Sequence, residues 1–224
     1  MKIKFLGTGA ADWKLEKHKD MDGFRRNSSA LIDSCLLIDP GPNVLDAIET
    51  FGIDQNEIKY IINTHRHSDH YNENTVASLD GAEFVDLCAG EVKQIGKYTV
   101  EALAANHATV QAAVHFIISD GEKNLFYGLD GAWLLYDEVA AIKKCGIDLA
   151  VLDATIGNVV GDYRVFEHNS LEMILLMKAS LEKYVKKFCI SHMARTLHTS
   201  HAELVEYMKQ YGVDVAYDGC EIEV

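Results

Sequence analysis

Thr64-His65-Arg66-His67-Ser68-Asp69-His70 places three histidines and one aspartate within six residues. The run before it, Ile58-Lys59-Tyr60-Ile61-Ile62-Asn63, is apolar and rich in β-branched residues, and it predicts a buried strand. A strand that ends in a burst of imidazoles and a carboxylate holds them on a rigid edge. Such nitrogen and oxygen donors suit zinc, manganese or iron. In extended chain, residues two apart point the same way, so His65 and His67 can grip one ion. Asp69 and His70 fall past the turn and can face a second. The chain has ten histidines in 224 residues, so a chance cluster on a solvated loop is the weaker reading.

Working outward, other strands also end on donors. Lys2–Leu6 alternates lysine with apolar residues and predicts a first strand. Gly7-Thr8-Gly9-Ala10-Ala11 follows, with Asp12 where a dinucleotide fingerprint needs its third glycine, so a tight turn near a site is favoured. Residues 12–27 form a polar lip. Its Arg25 and Arg26 are candidates for phosphate contact, although each taken alone reads as a solvated loop residue. Ser29–Asp33 and Cys35–Asp39 predict two short strands, and Pro40-Gly41-Pro42 a turn into a helix at Val44–Phe51. A helix follows over Tyr71–Leu79. Glu91–Gln94 and Tyr98–Ala105 pair as strands, the second leading into Asn106-His107. Asp120-Gly121 marks a hairpin between Ala112–Ser119 and Asn124–Tyr127, after which comes Asp130. Helices are predicted over Leu134–Cys145, His168–Lys183 and Ala202–Tyr211, the last with Ser200 as N-cap. Strands over Asp148–Leu152 and Lys187–Ser191 lead into Asp153 and His192.

Composition narrows the chemistry. The net charge is −13, which argues against nonspecific binding to nucleic acid or an anionic membrane. It leaves an anionic small molecule open, because bound metal ions would dominate the field inside a site. The five cysteines, Cys35, Cys88, Cys145, Cys189 and Cys220, are scattered and form no CxxC pair. A reducing, cytoplasmic compartment fits them. No run is long enough to span a membrane, and none at the start reads as a signal peptide. One domain over 1–224 accommodates the length.

Strand ends therefore carry His65 and His67, His107, Asp130, Asp153 and His192. With these residues in view, the chain resembles the metallo-β-lactamase superfamily of binuclear metallohydrolases. The HxHxDH motif is present as His65, His67, Asp69 and His70. The resemblance runs from Gly7-Thr8-Gly9 to Asp218-Gly219 and so covers nearly the whole chain. Within the superfamily the chain looks most like the cyclic phosphodiesterase branch associated with carbon–phosphorus lyase, which itself resembles the tRNA 3′-processing endonucleases. The residues that carry this are Phe5-Leu6-Gly7-Thr8-Gly9-Ala10, Asn27-Ser28-Ser29, Asn106-His107, Asp153-Ala154-Thr155, His168-Asn169, Ser191-His192 and Ala216-Tyr217-Asp218-Gly219.

The resemblance implies an α+β fold, an αββα sandwich of two mixed sheets with helices outside and the site along one sheet edge. It implies two divalent ions, Zn2+ or Mn2+. His65, His67 and His107 would hold one; Asp69, His70 and His192 the other; Asp130 would bridge them. Such a pair can lower the pKa of a water from about 15.7 to about 7 and clamp a phosphoryl oxygen. Asp69 and Asp130 thereby count as catalytic. His168 would protonate the departing oxygen as a general acid; from the residues alone, a solvent-facing position at a helix start is an equal reading. Asp153 would orient a ligand histidine from behind. His201 is a candidate substrate contact, against a capping or surface role. His18 and His115 read as structural.

Departures from the relatives matter. No cysteine-rich zinc loop is present, so no third, structural metal is expected. The basic RNA-gripping arm of the endonucleases is missing, which lowers that reading. Position 67 is His rather than the Glu of oxygen-reducing di-iron relatives. The expected function is a phosphodiesterase acting on a small cyclic phosphate or nucleotide-like molecule. Hydrolysis of a carboxylic ester, thioester or lactone is the alternative, and a metal-binding protein without turnover is the third. The partner is a small molecule. A homodimer is common among the relatives, and no stretch here is diagnostic of one.

Overall fold

Period-two alternation along the strands builds a layered core. The structure, a computed structural model, describes residues 1–108 and 112–224. Among them, β1 (Lys2–Gly7), β2 (Ser29–Ile32), β3 (Leu36–Ile38), β4 (Tyr60–Ile62) and β5 (Glu83–Phe84) belong to one sheet. A second sheet takes β6 (Val92–Ile95), β7 (Tyr98–Ala104), β8 (Val114–Ser119), β9 (Asn124–Gly128), β10 (Ile147–Asp153), β11 (Val185–Ser191) and β12 (Val213–Val215). The last strand, β13 (Glu221–Glu223), returns to pair antiparallel with β1.

Ile3, Phe5, Ala30, Ile32, Leu36, Ile38 and Ile62 face the second sheet, whose Val114, Phe116, Leu125, Tyr127, Leu149 and Val151 face back. The alternate residues turn outward. Leu6, Leu31, Leu37 and Ile61 pack under α2 (Val44–Phe51). Phe126, Ala150, Leu152, Phe188 and Ile190 pack under α4 (Tyr136–Cys145), α5 (Leu171–Leu181) and α6 (His201–Lys209). This is the αββα layering the sequence predicts, with both sheets mixed. The short α1 (Leu15–His18) and α3 (Glu73–Ser78) lie in connecting segments. None of the described helices is long and apolar enough to cross a membrane.

Direction of the strands decides where the site forms. β3 and β4 run parallel, as do β9, β10, β11 and β12. Their carboxyl ends therefore collect along one edge, and ligand-type residues follow them there. Pro40-Gly41-Pro42 turns the chain immediately beneath this edge. A Cβ at Gly41 would run into the carbonyl oxygen of Asp69, so glycine permits the approach.

Two expectations are corrected. α5 starts at Leu171 rather than His168, because Ser170 takes the N-cap by accepting from the Met173 N–H at 3.3 Å. His168 thus lies outside the helix. The lip at 12–27 is not simply solvated: Arg25 and Arg26 are buried. Arg25 donates to Thr8 Oγ1 and to the Ala216 carbonyl, while Arg26 pairs with Asp46.

Candidate metal centre

His67, Asp69 and His70 aside, each ligand candidate sits within three residues of a strand end, and several residues at these ends need an unusual backbone to turn inward. Asp39 follows β3, Asp130 follows β9 and His192 follows β11, with φ of 59°, 59° and 63°. This left-handed region is uncommon for residues other than glycine, though Asp and His are enriched in it. After β4 the chain runs into His65, and a short turn brings His70 back beneath it, with the His70 N–H donating to the His67 carbonyl at 3.0 Å.

The histidines are oriented from behind. Buried Asp39 accepts from His70 Nδ1 at 2.8 Å, and also from the Thr64 N–H at 2.7 Å and Asn63 Nδ2 at 2.9 Å. His65 Nδ1 lies 3.0 Å from Thr64 Oγ1. On the other sheet, Thr155 Oγ1 lies 2.7 Å from His192 Nδ1 and 2.9 Å from Asp153 Oδ2. Asp153 Oδ2 is 3.0 Å from His168 Nδ1, and Oδ1 accepts the Asn169 N–H at 2.9 Å. These contacts leave Nε2 of His65, His70 and His192 as the inward-facing atoms.

The inward atoms converge. His70 Nε2 and His192 Nε2 are 3.2 Å apart, as are His107 Nε2 and His67 Nδ1. Asp130 Oδ2 lies 3.1 Å from Nε2 of both His65 and His70, and Oδ1 lies 2.8 Å from His192 Nε2. His65, His67, His107 and Asp130 bring one ligand atom each within 4.8 Å of one another, and so do Asp69, His70, Asp130 and His192. Asp130 is common to both groups.

Charge in this cluster is unbalanced. Burial pushes the pKa of His65 down, and that of His107 to about 4. Burial also works against charge on His70 and His192, yet the Asp130 carboxylate overrides it and both are held well above the usual histidine value. Burial opposes ionisation of Asp130 and Asp69 too; the facing imidazoles hold both well below the ordinary carboxylate range. Asp153 and His168 are shifted in the same paired way against burial, the acid down and the base up. Buried carboxylates that draw protons onto imidazoles are the environment that favours divalent cations.

The residues fit such ions on a direct test. Nε2 of His65 and Oδ1 of Asp130 are buried and, although polar atoms stand at 3.1 and 2.8 Å from them, neither makes a well-aligned hydrogen bond among the described residues. Four-coordinate zinc with Zn–N near 2.0–2.1 Å sets ligand atoms about 3.3 Å apart, close to the spacings found. Beside the cluster opens a cavity of about 200 Å³. Ala10 and Ala11 line it from the turn after β1, Asp12 from the lip, Arg164 and Glu167 from the loop at 157–167, and Ala194 from the segment after His192.

The structure brings together all seven ligand candidates, His168 at the cavity wall, and Asp153 behind His168 and His192. It does not bring His201 there. His201 begins α6, faces Tyr217, and has Nδ1 3.0 Å from Arg25 Nη2. Arg25 and Arg26 are likewise not among the lining residues; the cation that is, Arg164, belongs to a 3-10 turn at Tyr163–Phe166. Sequence reasoning missed Asp39, Thr155, Asn169 as a linker, and Arg164. Asp39 carried one usable signal, an aspartate closing an apolar strand beside the motif strand.

The chain's likenesses agree with this geometry. The metallo-beta-lactamase superfamily model matches residues 22–75, which include Thr64–His70. No match was found among curated proteins. Among solved structures, the chain is similar to a diphosphatase from the PhnP family, with 17% identity, a TM-score of 0.75, and coverage of 100% of this chain and 97% of that one. It is also similar to Zn2+-bound PqqB from Methylobacterium extorquens, with 16% identity, a TM-score of 0.73 and full coverage of both chains. Human tRNase Z, short form, gives 16% identity, a TM-score of 0.72, and coverage of 100% and 99%. The chain has the metallo-β-lactamase fold throughout and carries that superfamily's sequence pattern over residues 22–75.

Proposed function

We propose that this chain is a binuclear metal-dependent hydrolase of phosphodiesters, acting on a small cyclic phosphate or nucleotide-like molecule. The observation that carries the reading is the sharing of Asp130 between two groups of ligand atoms, one rooted in each half of the HxHxDH motif. His65, His67 and His107 would hold one ion, Asp69, His70 and His192 the other, with Asp130 bridging. Zinc and manganese both suit these donors. Bound there, two divalent ions would supply Lewis acidity toward a phosphoryl oxygen and a water acidic enough to attack at neutral pH.

The chain's own side chains do the rest. Arg164 faces the cavity, with Nε and Nη2 held by Asp162 at 2.8 and 2.6 Å, and offers its charge to an anionic ester. His168, steadied by Asp153 and Thr155, stands at the cavity wall where a leaving oxygen can take a proton from it. Asp39 and Asp153 fix the ring orientations of His70 and His192. The net charge of −13 supports a small substrate rather than a nucleic acid, and five free cysteines suit a cytoplasmic setting. The likeness to a PhnP-family diphosphatase supports phosphate chemistry.

The test is metal content together with hydrolysis of bis(4-nitrophenyl) phosphate by protein loaded with zinc and, separately, with manganese. About two metals per chain, as a two-ion site requires, with turnover, is the expected result. Two metals with turnover of thioesters or lactones instead would sink the phosphodiesterase reading.

A further inference from the structure

Apart from the seven ligand candidates and His168, the charged side chains lining the metal cavity are Asp12, Arg164 and Glu167. Two of them are engaged within the protein. Arg164 pairs with Asp162 at 2.6 Å, and Asp12 accepts the Arg195 N–H, its two oxygens at 2.9 and 3.0 Å. Glu167 is placed differently. One of its carboxylate oxygens, a nitrogen of His107 and a nitrogen of His168 lie within 4.8 Å of one another. Among the described residues no lysine or arginine pairs with that carboxylate; Arg164 of the adjoining turn is taken by Asp162.

The backbone that carries Glu167 is held from several sides. Its N–H and that of His168 both donate to the Arg164 carbonyl at 2.8 Å. Its own carbonyl lies 3.3 Å from His107 Nδ1. Two residues on, buried Asn169 accepts the Trp133 N–H at 2.8 Å and donates from Nδ2 to the Gly131 carbonyl at 2.8 Å, next to Asp130. The carboxylate therefore stands on a fixed base, beside a ligand candidate of one ion and beside the residue placed to protonate the leaving oxygen. Divalent ions attract a phosphate the more strongly the more charge it carries. Rejecting an overcharged substrate takes a repulsive element beside the phosphoryl group. Glu167 supplies a negative charge at that place.

We propose that Glu167 selects the substrate by charge: beside the metal pair it tolerates a phosphodiester, with one negative charge, and repels a phosphate monoester, with two. The proposal rests on the phosphate reading of the metal centre and narrows its substrate to singly charged esters.

Calorimetric titration of zinc-loaded protein tests it with phenylphosphonate, doubly charged at mildly alkaline pH, and its monomethyl ester, singly charged. The two probes differ by one methyl group and one charge. In Glu167→Gln and in Glu167→Ala, binding of phenylphosphonate relative to the monomethyl ester should rise about tenfold, the size of one like-charge contact in a partly solvated site. Glu167→Asp keeps the charge and should shift that ratio by less than about threefold. A shift of less than about threefold in both Glu167→Gln and Glu167→Ala, or one as large in Glu167→Asp as in Glu167→Gln, overturns the charge selection while leaving the phosphate reading intact. Failure of both probes to bind the unmodified protein overturns the phosphate reading itself, and the charge selection with it.

Discussion

Aspartates cap both ends of the β-sandwich, with opposite partners. At the hairpin end, Asp33 accepts from Lys97 Nζ at 2.8 Å, Tyr98 Oη at 2.9 Å and the Lys2 N–H at 2.7 Å. Asp148, at the start of β10, accepts from Lys186 Nζ at 2.8 Å and the Asn124 N–H at 2.9 Å. At the other end, Asp39, Asp69, Asp130 and Asp153 have only histidines as ion-pair partners among the described residues. Lysine carries its charge unasked, whereas imidazole is neutral by default. One end compensates its charge locally and can be exposed without consequence. The other buries carboxylates whose charge is balanced only when the facing imidazoles take up protons or a cation joins them.

The sharpest way to break this contrast is Asp130→Asn. Asparagine accepts the left-handed backbone, so the change isolates the charge. Metal content should fall well below two per chain, and bis(4-nitrophenyl) phosphate turnover should drop by about a thousandfold or more. Elemental analysis and initial rates check this together; retention of both metals and rate would dissolve the distinction between the ends.

His168→Ala comes next. Metal content should stay, and the loss should track the leaving group: about a hundredfold for an alkyl leaving group and under about tenfold for 4-nitrophenolate, which needs little protonation. A uniform loss across leaving groups would reduce His168 to a positional role. Asn169→Ala should weaken zinc by about tenfold, because the Gly131–Trp133 turn beside Asp130 loses its anchor. Competition with a chromogenic chelator measures it.

The smallest effect belongs to the hairpin end. Burial works against the Asp148 charge, but Lys186, the Asn124 N–H and Lys123 prevail and lower its pKa from the ordinary 3.8. The unfolded chain then takes up the proton first. The stabilisation is complete above the unfolded value and disappears as pH falls through the lower folded one. Asp148→Asn should cost at most about 1 kcal/mol near neutral pH, since solvent screens the lysine heads. Denaturation at pH 7 and at pH 3 should show the cost shrinking in acid, and metal content at pH 7 should match that of the unsubstituted protein.

What the sequence disclosed follows the range of its signals. Alternation in Ile3, Phe5, Ala30 and Ile32 is local, and it predicted the strands. The HxHxDH cluster is local as well, and the strand ends at His107, Asp130, Asp153 and His192 stood out because each closed an apolar run. Arg25 and Arg26 looked solvated because their partners, Thr8, Ala216 and Asp46, come from distant parts of the chain. Arg164 was hidden in a loop with no periodicity. His201 reads as a candidate substrate contact because it stands in a loop at a helix start, yet helix α6 turns it toward Arg25 and Tyr217. The start of α5 was misjudged because Asn169 fits a helical pattern, while its side chain is held by Gly131 and Trp133.

The left-handed turns at Asp39, Asp130 and His192 have a bearing on transplantation. A designer who copied only the seven ligands onto another pair of sheets would leave Asp130 and His192 aimed by an ordinary extended backbone, and would leave out Asp39, whose own kink lets it hold His70. The portable unit is a strand end together with the single residue that reverses its hand. A graft that carries those three backbone kinks can be judged by dihedral geometry before any metal is added.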